Sequence, residues 1–193
     1  MIAWDLYQKD VVMKKMLLLL GCLNFAGFVC ADQTSQNGAY INANFGAATL
    51  QYLPTGSFIF VANAGYNFNR GFALEGGYSQ LTSSQFGATQ TNNIFDVAAK
   101  GTIHLSNIFA LYGRLGTGIN YMSWGGTATD APGWFANQRS SNNFMWLAAG
   151  GASFTLSKHF DLRLEDTVYI PMGGGNSTAG TINAVTGGVQ FNF

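Results

Sequence analysis

The chain has 193 residues, and its nine Lys and Arg balance nine Asp and Glu, so nothing in its net charge favours nucleic acid or an acidic partner. Charged residues make up only 9%, against about a quarter in soluble domains, while aromatics reach 15% and glycines number 25. That balance disfavours helices, and no apolar run long enough to span a membrane as a helix follows the first thirty residues.

In chain order, residues 1–12 carry no recognisable pattern, and translation is expected to start at Met13. Lys14 and Lys15 open a short basic region, and residues 17–29 are apolar apart from Asn24. Val29 and Ala31 then occupy the −3 and −1 positions of a secretory cleavage site, so residues 1–31 are read as an extension plus signal peptide, cut after Ala31. Both cysteines, Cys22 and Cys30, would leave with it, which suits an oxidising compartment. A lipoprotein signal ending at Cys22 is the rival reading, but its apolar stretch is too short. Residues 32–37 are polar and are expected to form a flexible lead-in to a domain covering 38–193.

That domain breaks into eight pieces with a period of two, at residues 40–47, 58–68, 72–80, 94–105, 109–121, 144–156, 160–170 and 182–193. Each has one apolar and one polar row, as in Phe95, Val97, Ala99 and Ile103 against Asp96, Lys100, Thr102 and His104. The connections at residues 69–71, 106–107 and 157–159 are tight. Those at 49–56, 81–92, 122–142 and 171–181 are longer and rich in Gly, Ser, Thr and Asn. Short turns at one end and longer loops at the other fit an all-β, eight-stranded, antiparallel up-and-down transmembrane β-barrel. Closure is required, because backbone groups in lipid must all be paired. The last strand has the apolar row Val185, Val189, Phe191 and Phe193 opposite Thr186, Gln190 and Asn192.

Residues 38–46, 64–68 (AGYNF), 72–78 (FALEGGY), 99–101 (AKG), 111–116 (LYGRLG) and the Phe193 ending resemble the small eight-stranded outer-membrane family typified by the OmpA transmembrane domain and OmpX. The resemblance implies a bacterial outer membrane, with the short turns and both termini periplasmic. It also implies that Val185, Val189, Phe191 and Phe193 form the signal read by the barrel-assembly machinery. Outer-membrane lipid and lipopolysaccharide are the partners expected around the wall. A structural or surface-interaction role of adhesin or resistance type is expected, without cofactor or catalysis. The peptidoglycan-binding domain of larger family members is not carried over.

With the polar row inward, the lumen receives Glu75, Asp96, Lys100, Arg114, Arg163 and Glu165, three acids and three bases. All but Asp96 lie three to six residues above the tight turns, so they are expected to form one self-neutralising belt across the lumen. The belt reads as a plug of salt bridges; a small-solute pore is the alternative. A soluble, lipocalin-like barrel would instead turn its apolar row inward. Lipid A-modifying enzymes of this size need a Ser or His with a carboxylate at the outer rim, whereas His104 and His159 sit at the tight-turn end. No metal-ligand spacing is present. Trp124, Trp134, Phe135 and Arg139, in the 122–142 loop, are the candidate contacts for a host or surface ligand. One position breaks the pattern: strict alternation turns Asp166 to lipid, so a β-bulge is expected near Glu165–Asp166, sending Asp166 inward and Tyr169 outward.

Overall fold

The computed structural model describes residues 37–51, 53–85, 88–126, 141–172 and 180–193. The signal segment 1–31 and positions 32–36 of the lead-in lie outside the described residues, as do Trp134, Phe135 and Arg139. Eight strands follow one another as β1 (Gly38–Leu50), β2 (Leu53–Asn69), β3 (Phe72–Gln85), β4 (Ala88–His104), β5 (Phe109–Gly126), β6 (Ser141–Thr155), β7 (Phe160–Pro171) and β8 (Ile182–Asn192). Each pairs antiparallel with its neighbours in sequence, and β1 pairs with β8 to close the barrel.

The register fixes the geometry of the wall. Cross-strand partners run from Phe72 through Gly101, Gly113, Gly150, Asp166, Val185, Ala47 and Phe58 to Thr82. One circuit therefore climbs ten residues along β3, from Phe72 to Thr82. With eight strands, that shear tilts them about 40° from the axis and gives a radius of about 8 Å, narrow enough for side chains to fill the interior.

The outer surface inverts the rule for soluble proteins. Phe45, Phe95, Leu115, Phe144, Trp146, Leu162 and Val189 all point outward and are exposed. Aromatic pairs such as Phe109–Phe154 and Phe160–Phe191 gather near the tight turns. Tyr78–Phe95 and Phe95–Tyr121 gather towards the other end. An apolar band edged by aromatics is what a lipid bilayer selects.

β1 to β7 are longer than the alternation in the sequence suggests, mainly at the long-loop end, whereas β8 is not. The 49–56 loop shrinks towards Gln51, and the 81–92 loop is replaced by the paired ends of β3 and β4. Trp124, expected in a loop, belongs to β5, where its backbone pairs with Gln90. The reason is a change of environment along each strand. Above the band the outward positions are polar (Thr82, Ser84, Thr91, Ser123), and a run such as Leu81–Gln85 loses the greasy row that marks a strand in lipid. Within the upper part of the band, the expectation of a polar row facing inward is also corrected. Ile59, Val61, Leu81, Ile94, Met145, Leu147 and Ile182 face the lumen and form a buried apolar cluster.

The β-bulge at Glu165–Asp166 is not found. Pairing is regular through both residues, Glu165 with Gly151 and Thr186, Asp166 with Gly150 and Val185. Asp166 points outward and is exposed, while Tyr169 is buried in the lumen with its hydroxyl 2.9 Å from that of Ser79. Flipping the row would have taken Tyr169 and Thr167 out of the lumen, where both are hydrogen-bonded. Irregular pairing occurs instead between Ala48 and Leu50 and between Asn67 and Asn69.

Candidate functional site in the barrel lumen

Alternation places the belt residues before any side-chain interaction does. Glu75 on β3, Asp96 and Lys100 on β4, Arg114 on β5, and Arg163 and Glu165 on β7 all have inward parity. Shear then brings them to one level, and all six are buried.

Four of them close a ring of alternating charge. Arg114 Nε lies 2.6 Å from Glu75 Oε2, and Arg114 Nη1 donates to Glu165 Oε1 at 2.7 Å. Arg163 Nη1 donates to Glu75 Oε1 at 3.0 Å and Nη2 to Glu165 Oε2 at 2.9 Å. Each guanidinium thus bridges both glutamates, using the fork geometry that a lysine ammonium lacks. The two remaining charges attach outside the ring. Arg114 Nη2 donates to Asp96 Oδ1 at 3.3 Å, and Lys100 Nζ lies 3.5 Å from Glu75 Oε1.

Residues not marked out as belt members in the sequence complete it. The Tyr40 hydroxyl donates to Glu75 Oε1 at 2.6 Å, and Arg163 Nε donates to the Tyr112 hydroxyl at 3.1 Å. Lys100 Nζ sits between the two rings, 4.9 Å from the centre of Tyr40 and 4.8 Å from that of Tyr112. A cation held between two ring faces keeps favourable electrostatics after leaving water. Both tyrosines lie over glycines directly opposite in the sheet, Tyr40 over Gly65 and Tyr112 over Gly151. A Cβ at either glycine would enter the ring. Thr167 and Gln190 add hydrogen bonds to Glu165 and Arg163. Tyr40 and Tyr112 share parity with Asn42 and Arg114, so their direction could be read from the sequence; that they face glycines needs the register.

Below the belt, Gln190 and Asn192 both donate to Asp161 Oδ2, at 3.4 and 2.8 Å. A cavity of about 30 Å³ opens there among Arg70, Lys100, His104, Asp161 and Gln190, with room for about one water. Above the belt comes the apolar cluster. Among the described residues no group of acids, histidines or cysteines is arranged to hold a metal.

The remaining sequence-marked residues lie elsewhere. Val185, Val189 and Phe193 are exposed on the outer wall, and Phe191 packs against Phe160 and Phe193 with ring centres 5.1 Å apart in both pairs. His159 Nδ1 donates to the Asn192 carbonyl at 3.0 Å, pinning the end of β8 to the turn before β7. His104 ends β4 at the same mouth, away from the long-loop end. Nothing is described for the Trp124 side chain.

Comparison with known proteins agrees with this architecture. The solved structure of Neisserial surface protein A superposes with a TM-score of 0.64 at 15% identity, over 83% of this chain and all of that one (100%). The N-terminal β-barrel domain of Pseudomonas aeruginosa OprF gives 0.60 at 14% identity, with 83% and 100% covered. Ail, the attachment invasion locus protein of Yersinia pestis, solved with the heparin analogue sucrose octasulfate, gives 0.54 at 14%, again with 83% and 100% covered. No curated protein matches the sequence. A profile of the outer membrane protein beta-barrel domain matches residues 16–193. An apolar wall, a charged lumen and that match place the barrel in the bacterial outer membrane. The chain belongs to the outer membrane protein β-barrel domain family.

Proposed function

We propose that this barrel is a closed, non-catalytic membrane anchor whose role is structural or carried out by its outer loops. One observation carries the reading: the lumen is filled twice over, by the charge ring at one level and by the apolar cluster above it. A solute would have to break both. Separating the ring strands buried charges without partners, and wetting the cluster exposes Ile59, Leu81, Ile94 and Leu147 to water. The six charges form the plug, and both termini with the short turns lie in the periplasm.

Catalysis on lipid A would need a nucleophile and base at the outer rim, whereas both histidines lie at the short-turn end. The outer end remains as the working surface, with Trp124 near the end of β5 and Trp134, Phe135 and Arg139 after it in the chain as the residues that meet a host or surface ligand. Sucrose octasulfate, crystallised with the similarly folded Ail, gives the kind of polyanion that Arg139 suits. The wall is in contact with phospholipid and lipopolysaccharide. Planar-bilayer recording on refolded protein tests the closed lumen. Wild type should be silent, and Glu75→Ala, which breaks the ring but leaves the apolar cluster in place, should be silent too. Steps of equal size and frequency in both would establish the pore instead.

The outward row Val185, Val189, Phe191 and Phe193 is the part read by the barrel-assembly machinery. Phe193→Ala is expected to lower the amount of protein in the outer membrane severalfold, by quantitative blotting. Leu156→Ala, an outward apolar residue at the same end, should leave it unchanged. Equal loss from both would reduce the row to ordinary lipid contact.

A further inference from the structure

Among the described Lys and Arg side chains, Lys100, Arg114 and Arg163 are buried in the lumen, whereas Arg70 and Lys158 are exposed in two of the short turns. The third short turn, at residues 105–108, has neither residue type. Phe68 and Phe72 flank Arg70, and Leu156 and Phe160 flank Lys158, all four exposed on the outer wall. Each cation thus stands two residues from the last apolar position on either side, within about 5 Å along the barrel axis. A headgroup layer is about 5–8 Å deep, so both charges fall at the level of lipid phosphate. A long basic side chain suits that level, since its stem tolerates hydrocarbon while its charge seeks the polar layer.

Both turns are braced, which sets the depth of the charge. Gly71 N donates to Asn69 Oδ1 at 2.8 Å across Arg70, and His159 N donates to Ser157 Oγ at 3.3 Å across Lys158. Those bonds use only acceptors, so the Asn69 NH2 group and the Ser157 O–H stay available beside each cation. A cation next to a neutral donor suits the several acceptor oxygens of a phosphate. Acids are turned away from this end. Among the described residues no exposed Asp or Glu side chain lies in or beside the short turns, and Asp161 is buried in the lumen.

We propose that Arg70 and Lys158 each bind the phosphate of an anionic phospholipid in the leaflet at the short-turn end. A zwitterionic headgroup brings an ammonium that needs an acid, and the described rim exposes none, so an anionic headgroup such as phosphatidylglycerol is favoured. The β2–β3 and β6–β7 turns lie four strands apart in a ring of eight, on opposite sides of the barrel, and so make two separate sites. Arg70 also borders the cavity at the lumen mouth and reaches lipid only when its side chain turns outward; Lys158 does not line that cavity. Calling the leaflet periplasmic rests on the orientation proposed above, whereas the binding itself does not.

Native mass spectrometry tests this on the refolded barrel, released from micelles holding equal amounts of phosphatidylglycerol and phosphatidylethanolamine with the same acyl chains. Folding is checked by heat-modifiable gel mobility and should persist in every variant, since both positions are exposed in turns. Wild type should retain up to two phosphatidylglycerols, each favoured over phosphatidylethanolamine by about fivefold, the effect of one basic side chain on an anionic lipid. Arg70→Gln and Lys158→Gln should each remove one of the two, and the double variant should show no preference. Arg70→Lys, which keeps the charge, should behave as wild type, and added salt should shrink the preference. Conductance plays no part in the readout, so an open lumen would leave it unchanged. Equal retention of the two lipids by wild type overturns the proposal. So does a preference that survives in the double variant, or one lost as fully in Arg70→Lys as in Arg70→Gln.

Discussion

Glu75→Ala is expected to lower the unfolding free energy by about 3–5 kcal/mol, the usual cost of removing one partner from a buried ionic cluster. Glu75 has four polar partners in the belt. Its two oxygens face Arg114, Arg163 and Lys100 and accept from Tyr40, and the side chain is wholly buried. Without it three cations share two carboxylates, and Lys100 loses its only ion pair among the described residues. The loss is specific to the imbalance of charge. Glu75→Gln combined with Lys100→Met leaves two bases against two acids and should recover more than half of the stability. Urea titration of refolded protein in lipid vesicles, followed by tryptophan fluorescence, measures both. A single substitution costing less than about 1 kcal/mol, or a double one no better than the single, would show that the ring is not a coupled unit.

The second large effect is expected at the seam where the first and last strands meet. Gly46 on β1 and Gly188 on β8 face the lumen at this seam. A Cβ on Gly46 would run into the Val185 carbonyl, and one on Gly188 into the Ala43 carbonyl. Backbone cannot swing aside as a flexible side chain can, so Gly46→Val or Gly188→Val should cost at least ~3 kcal/mol and open the β1–β8 pairing. The expected readout is loss of the compact, heat-modifiable band in mild detergent. Gly101→Val, whose added Cβ would meet open space, is the matched control and should fold as wild type does. Normal folding of both seam variants would mean that the wall relaxes around them.

The sequence specified the strands because the bilayer imposes a simple rule on them. In the band, one face of each strand must be apolar, and in a narrow barrel the other face must hold whatever polar groups the lumen needs. Alternation could therefore be read for Phe95–Lys100 or Leu111–Arg114 without coordinates. Strand number, turn ends and the inward parity of all six belt charges followed. Where the rule lapses, alternation no longer marks a strand. Above the band, Leu81–Gln85 and Ala88–Asn93 have no greasy outward row and resembled loops, though both are paired.

Asp166 shows the limit from the other side. A local pattern with a charge on the wrong face invites a local remedy, and a bulge was the obvious one. Only the completed sheet decided against it, because Thr167 and Tyr169 are each held in the lumen by bonds to other residues, Tyr169 by Ser79 four strands away in chain order. The same holds for the belt. Parity said which charges face inward, but which oxygen meets which nitrogen depends on a shear of ten residues and on glycines opposite Tyr40 and Tyr112. The chain alone determined composition, strand parity and the balance of charge, since each is a property of neighbours in sequence. The closed ring of Glu75, Arg114, Glu165 and Arg163 and the apolar upper lumen required the tertiary structure. They arise between residues tens of positions apart, and only barrel closure sets the distance between them.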